Sequence, residues 1–222
     1  MSLPWNQIDA VLLDMDGTLL DLNFDNHFWS EFVPLRYAQQ NGLALEEAKK
    51  RLVPRFRAME GRIEWYCLDY WSAALELNIA GLKAELSGLI AVLPHVTDFL
   101  EAARQAGKRL ALVTNAHPDS LGLKLEKTCL HEFLDAVVSS HQFGVPKEDP
   151  AFWTRLHAVE PFDPVRSLLI DDSLPVLRAA RRHGIRHLCA IKKPDSKGAR
   201  RDIAEFFAVD DLRELMPVAE AP

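Results

Sequence analysis

The chain is most constrained by five short apolar runs, each too short for a helix and most of them closed by a polar residue. They are Ile8–Leu13 before Asp14, Arg109–Val113 before Thr114-Asn115, Ala136–Val138, Ser167–Ile170 before Asp171-Asp172, and His187–Ile191. Runs of this length without polar alternation suit strands buried on both faces, as in a parallel sheet. A helical pattern precedes each of the last four. Val96, Phe99, Leu100 and Ala103 share one helical face, with Gly107 where a C-terminal cap belongs. Ser120–Thr128 reads as a second helix, Asp149-Pro150 as the N-cap and first turn of a third, and Leu174–Arg182 as a fourth closed by Gly184. Strand and helix in strict alternation predict an α/β fold with a doubly wound parallel sheet.

The rhythm is interrupted once. Residues 21–89 show helical spacing and no strand pattern. One helix is expected around Leu35 and Ala38, ending at Gly42-Leu43. Another spans Glu46–Met59 and is interrupted near Pro54, and a third runs from Glu64 to Leu77 with Trp65, Leu68, Trp71, Ala74 and Leu75 on one face. The expected organisation is an α/β core of residues 1–20 and 90–222 carrying an all-helical insert of residues 21–89. The Ala/Pro/Glu tail after Met216 is expected to fray.

A net charge of −6 argues against nucleic-acid polymers as partners. Cys67, Cys129 and Cys189 are odd in number and far apart, with no C-x-x-C pair, which predicts reduced thiols rather than a disulfide frame or a zinc site, and a cytoplasmic setting. The stretch from Ile8 to Leu20 is broken by Asp9, Asp14 and Asp16, so it reads as neither a signal peptide nor a membrane span.

The carboxyl ends of parallel strands share one edge, where ligands bind. Asp14, Thr114 and Asp171 close predicted strands, with Asp16, Asn115 and Asp172 directly behind, and Lys147 follows the third strand. Carboxylates so gathered repel one another: two unit charges about 4 Å apart cost ~4 kcal/mol at an effective dielectric of about 20. A divalent cation held by Asp14, Asp16, Asp171 and Asp172 relieves this, and oxygen-only ligands favour Mg2+. Lys147 adds positive charge, while the Thr114 hydroxyl and the Asn115 amide suit phosphate oxygens.

These residues resemble the motifs of the haloacid dehalogenase-like hydrolases. Asp14-Met15-Asp16-Gly17-Thr18-Leu19 is similar to the family's D-x-D-G-T-[LV], Thr114 to its second motif, Lys147 with Pro150 to K-x-x-P, and Asp171-Asp172 to its acidic fourth motif. Two departures stand out: Glu148 replaces a proline common after the lysine, and the acidic pair is adjacent rather than spaced. The resemblance implies a Rossmann-like core with a C1 cap, Asp14 as the nucleophile forming an aspartyl phosphate, and Asp16 as acid and then base. It also implies Thr114, Lys147 and Mg2+ on the phosphoryl oxygens, with Asp171 favoured over Asp172 as the direct metal ligand. Asp16 points to a phosphatase or phosphomutase, because dehalogenases of the family keep no acid there. The Asp21–Asn26 segment and the Gly144–Pro150 loop resemble bacterial purine 5'-nucleotidases acting on GMP and IMP, which implies a purine nucleoside monophosphate as substrate.

Other readings stay open at this point. The enzyme alternatives are a phosphatase of sugar phosphates or phosphoglycolate and a phosphosugar mutase; the non-enzyme alternative is a silent binding module. Asp172 can instead cap the helix from Leu174, and His117 reads first as a solvated loop histidine. Most of the insert's aromatics (Phe24, Phe28, Trp29, Phe32, Tyr37, Phe56, Trp65, Tyr66, Tyr70 and Trp71) are expected to be packing core, with one or two left to stack on a base. Arg51, Arg55, Arg57 and Arg62, and the run Lys192, Lys193, Lys197, Arg200 and Arg201, read as solvated faces.

Overall fold

All five apolar runs form parallel strands, and a sixth strand joins them. In the computed structural model, which describes residues 3–217, they are β1 (Ala10–Leu13), β2 (Arg109–Thr114), β3 (Ala136–Ser139), β4 (Ser167–Asp171), β5 (His187–Ile191) and β6 (Phe207–Val209). The sheet order is β3-β2-β1-β4-β5-β6, every pair parallel. β1 lies between β2 and β4 with Leu13 opposite Leu112 and Ile170, so the residues that follow these strands emerge side by side. The order reverses direction here, which opens the crevice where α/β sheets bind ligands.

Both faces of the sheet are covered, as unbroken apolar strands require. Val11, Leu13, Leu110, Leu112, Leu168 and Ile170 pack on one face with Val96, Phe99, Leu100 and Ala103 of α7 (Val96–Gln105). Alternate residues Leu12, Ala111, Val113 and Leu169 pack on the other with α9 (Pro150–Val159) and α10 (Leu174–His183). The period-two alternation of strand side chains makes this division. α8 (Pro118–Thr128) follows β2, with His117 at its N-cap.

Six helices separate β1 from α7: α1 (Asn23–His27), α2 (Val33–Asn41), α3 (Leu45–Arg57), α4 (Ile63–Tyr66), α5 (Leu68–Leu75) and α6 (Ile79–Glu85). α1 runs into α2 through a π-helical turn, Phe28–Phe32. These helices bury an apolar cluster of their own, with Phe28, Val33, Leu52, Leu68, Trp71, Leu75, Ile79 and Leu82 at its centre.

The structure differs from the sequence reading in three places. α3 runs through Pro54 without a break; Pro54 and Lys50, whose carbonyl loses its donor, are both exposed, so the carbonyl is not buried unpaired. The helix expected over Glu64–Leu77 is two helices parted at Cys67, whose backbone is extended and whose Sγ accepts from Tyr70 N at 3.4 Å. β6 and α6 were not foreseen. β6 is a three-residue edge strand, and α6 is a seven-residue helix that includes Gly81; both are too short to establish a period. The expected fraying after Met216 concerns residues that, from 218 on, lie outside those described. No helix among the described residues is long and apolar enough to cross a membrane.

Trp71 centres the insert's packing. It is 2% exposed, stands 5.0 Å from the Phe56 and Tyr70 ring centroids, and donates Nε1–H to Trp65 O at 3.0 Å. Trp71→Ala is expected to lower unfolding free energy by about 3–5 kcal/mol, read from the urea midpoint. A loss under about 1 kcal/mol would mean that the cluster collapses around the gap.

Candidate active site

The strand ends deliver the expected residues to one place. Asp14 follows β1, Thr114 ends β2 and Asp171 ends β4, and all three are buried. Lys147 reaches the same edge from the loop after β3. Its buried Nζ donates to Asp14 Oδ1 at 2.5 Å, Asp171 Oδ2 at 2.7 Å and Val113 O at 3.0 Å. These three bonds use every donor an ammonium has. In this state Lys147 therefore holds the carboxylates, with no proton left for a phosphate oxygen. Its own backbone is tied down twice: Lys147 N donates to Asn115 Oδ1 at 2.9 Å, and Trp153 Nε1 donates to Lys147 O at 2.8 Å.

Carboxylate oxygens of Asp14, Asp171 and Asp172 lie within 4.8 Å of one another. Asp171 has both oxygens engaged, Oδ2 by Lys147 and Oδ1 by Ser173 N at 2.8 Å. Asp172 is bound only at Oδ2, by Arg201 Nη2 at 3.2 Å, and Oδ1 has no donor among the described residues. The sequence favours Asp171 as the direct metal ligand; of the two, Asp172 has the freer carboxylate. Arg201, read as part of a solvated face, also donates to the carbonyls of Asp172 and Ile191 and so anchors this corner.

Gly17 makes the close approach of the β1 loop possible. Its φ is +93°, and a Cβ there would stand 2.8 Å from Asp172 Cγ and 2.9 Å from Pro194 Cβ. Asp14 Oδ2 is buried with no hydrogen-bond partner among the described residues. A buried carboxylate oxygen left open next to a cavity is available to a ligand.

Asp16 does not join the carboxylate cluster expected to hold the metal. Its Oδ1 accepts from Lys124 Nζ at 2.6 Å, and Lys124 also donates to Asp25 Oδ2 at 2.6 Å. Asp25 Oδ1 accepts from Lys83 as well. Two acids and two bases thus form a balanced set, joining the sheet side (Asp16, Lys124) to the insert (Asp25, Lys83). Lys124 and Lys83 are both buried. Burial opposes it, but Lys124 and Lys83 hold the Asp25 carboxyl well below the usual range. Burial pushes Asp16 up, against the pull of Lys124.

Thr114 Oγ1 accepts from Ala116 N at 3.0 Å, leaving its proton to donate. Asn115 Nδ2 donates to Glu148 Oε2 at 3.0 Å, and Tyr66 from the insert donates to Glu148 Oε1 at 2.6 Å. Burial and Glu148 keep the Tyr66 hydroxyl protonated. Glu148, a departure from the K-P-x-P pattern, thus links the strand-end loops to the insert at a second point. His117, read as a solvated loop residue, is buried.

A cavity of about 620 Å³ opens over Asp14, Asp16, Thr114, Asn115, Lys147 and Asp172. Four of the insert's ten aromatics, Trp29, Phe56, Trp65 and Tyr66, line it, and of its five arginines only Arg57 does. The other aromatics pack elsewhere.

Residues 8–184 match the haloacid dehalogenase-like hydrolase family. The chain belongs to this family. The GMP/IMP nucleotidase YrfG of Escherichia coli (strain K12) is 40% identical over 98% of both chains. A phosphoglycolate phosphatase of Nitrosospira multiformis is 33% identical over 90% of this chain and 88% of its own length. Among solved structures, a HAD phosphatase from Thermococcus onnurineus superposes with a TM-score of 0.77 at 22% identity, covering 93% of this chain and 95% of that one, which supports the fold.

The acid cluster of this family member is unbalanced, with three carboxylates against Lys147 and the partly exposed Arg201. Burial, opposed by Lys147 and reinforced by Asp171, pushes Asp14 up from 3.8 to about 7. Burial and the Asp14 charge push Asp172 to about 7, and burial, opposed by Lys147, pushes Asp171 to about 6. Between about pH 4 and 7 the metal-free folded state therefore binds more protons than the unfolded chain, and these groups lower stability as pH rises. A divalent cation at this cluster would supply the missing charge. Its stabilisation, read as the Tm difference between samples with the cation and with EDTA, is expected to be larger at pH 7.5 than at pH 5. The opposite trend would mean that the cluster is ionised and balanced without a cation.

Proposed function

We propose that this phosphatase is a Mg2+-dependent purine 5'-nucleotidase that hydrolyses GMP and IMP through an aspartyl phosphate on Asp14. The observation that carries the reading is the buried Asp14 Oδ2, without a hydrogen-bond partner among the described residues, on a residue that lines the cavity. Its sister oxygen is fixed by Lys147, so one lone pair is presented without further rotation. Oδ2 attacks phosphorus, a P–O bond to Asp14 forms, and the bond to the leaving ester oxygen breaks. Asp16 gives that oxygen its proton and then takes one from the water that hydrolyses the acyl phosphate. The carboxyl pushed upward by burial suits the acid role, and Lys124 suits the base role.

Asp14, Asp171 and Asp172 fit Mg2+ by their hard oxygen donors and excess negative charge, with Asp172 supplying the freer carboxylate. Bound there, Mg2+ supplies positive charge for the phosphoryl oxygens. Thr114 Oγ1 donates to one of these oxygens. Lys147 reaches them by releasing one of its present acceptors.

The helical residues 21–89 are proposed to act as a cap on the core of residues 1–20 and 90–222. A cavity of about 620 Å³ lies within the range of about 300–1,000 Å³ typical of pockets that enclose a cofactor-sized ligand. Its wall of Trp29, Phe56, Trp65 and Tyr66 suits a planar base. The YrfG relative, similar over nearly its whole length, supports the same substrate class.

The deciding assay is phosphate release from GMP, IMP, AMP, UMP, sugar phosphates and phosphoglycolate, with Mg2+ or EDTA. GMP and IMP are expected to lead, EDTA to abolish release, and Asp14→Asn to reduce it on the order of 10⁶-fold, the scale of losing a covalent nucleophile. A lead by phosphoglycolate or a sugar phosphate would retain the chemistry and discard the substrate. Tyr66→Phe leaves Glu148 Oε1 without its donor; kcat/KM is expected to fall about 10-fold or more, the scale of a hydrogen bond to a charged group. Unchanged kinetics would show that the Tyr66–Glu148 bond plays no part in forming the site.

A further inference from the structure

We propose that Cys67, His117 and His141 form a second metal site, for a borderline transition cation of the Zn2+ class, at the joint between the helical insert and the sheet. The three come from separate segments. Cys67 parts α4 from α5, His117 is the N-cap of α8, and His141 lies in the 3-10 turn Ser140–Gln142 after β3. One sulfur and two ring nitrogens, one per residue, lie within 4.8 Å of one another. Ligands at roughly 2.0–2.3 Å from a tetrahedral Zn2+ stand about 3.3–3.8 Å apart, a contraction within the reach of side-chain rotation.

Two further observations point to a ligand. His141 Nε2 is buried with no hydrogen-bond partner among the described residues. A buried ring nitrogen without a partner is costly, and a cation in this cluster would satisfy it. The two imidazoles meet edge to face, centroids 5.0 Å apart at 80°, with no hydrogen bond joining them. His117 Nδ1 accepts from Asp119 N at 3.3 Å, which leaves Nε2 as the ligand atom, and Asp69 Oδ2, 3.4 Å from that nitrogen, is placed to take the fourth position. The Cys67 Sγ already accepts from Tyr70 N at 3.4 Å, a bond that also stabilises a thiolate.

The donor chemistry separates this site from the first. Asp14, Asp171 and Asp172 offer only hard oxygens, whereas Cys67, His117 and His141 offer sulfur and nitrogen, so Mg2+ and Zn2+ sort between them. On binding, the Cys67 thiol loses its proton to solvent, one metal–sulfur and two metal–nitrogen bonds form, and water leaves the ion. The ion ties the chain next to Tyr66 to the loop that carries Thr114 and Asn115. It thereby fastens the insert to the strand ends independently of any substrate.

The test is a Co2+ titration of the full chain in excess Mg2+, which keeps Co2+ off the oxygen cluster. One Co2+ per chain is expected, with tetrahedral d–d bands and a thiolate-to-cobalt charge-transfer band. Cys67→Ser is expected to remove the charge-transfer band, and His141→Ala to weaken binding by at least about 10-fold. Zn2+ in excess Mg2+ is expected to raise Tm in the unaltered protein and not in Cys67→Ser. Absence of the charge-transfer band, or its persistence in Cys67→Ser, overturns the proposal, as does a Zn2+-induced rise in Tm that survives that substitution. Circular dichroism of both variants checks that they fold; should His141→Ala fail, Cys67→Ser decides alone. None of these readouts uses turnover, so they stand apart from the nucleotidase reading.

Discussion

Everything at the strand ends depends on one buried ammonium. Lys147 Nζ lies between Asp14 and Asp171 at 2.5 and 2.7 Å and is held by Val113 O behind it. Taking these charges out of water is expensive, and a buried ion pair rarely contributes more than a hydrophobic replacement would. What it contributes here is position. With Lys147 in place, Asp14 has one oxygen fixed and one open, and the ends of β1, β2 and β4 are joined to the loop that starts α9. The same residue, through its backbone and Asn115, connects to Glu148 and thence to Tyr66 in the insert.

The molecule holds two buried charge sets that differ in their arithmetic. Asp16, Lys124, Asp25 and Lys83 balance, two against two, and Lys83 also sits 4.8 and 4.9 Å from the ring centroids of Phe24 and Phe28. Such a set is complete and behaves as a joint between insert and sheet. Asp14, Asp171 and Asp172 outnumber their cations, and burial pushes all three carboxyls upward. An uncompensated cluster in a cleft marks a place where chemistry or a cation is meant to act, because a structural network would have been neutral.

Most of the core was legible in the sequence because its signals are local. Apolar runs such as Ser167–Ile170, and punctuation such as Asp149-Pro150 and Gly184, specify strands and helix ends within a few residues. The D-x-D-G-T stretch was legible for the same reason, and Gly17 shows why its glycine is required: no side chain fits beside Asp172. What escaped lies far apart along the chain. Lys124 meets Asp16 across 108 positions and Asp25 across 99, and nothing near any of them announces a partner. Arg201 sits in a basic run with no local sign of its contact with Asp172, 29 positions away.

The sequence by itself determined the parallel α/β sheet, the helical interruption between its first two strands, and the gathering of Asp14, Thr114, Lys147 and Asp171 at one edge, because period and strand direction are local properties. Tertiary structure alone decided which oxygen of Asp14 is open, that Asp16 faces Lys124 rather than the other carboxylates, and that Asp172 is freer than Asp171. It also brought Cys67 together with His117 and His141, although cysteine spacing gave no sign of a metal site. Side-chain orientation and long-range pairing depend on how insert and sheet pack against each other, and no stretch of sequence shorter than the whole fold contains that information.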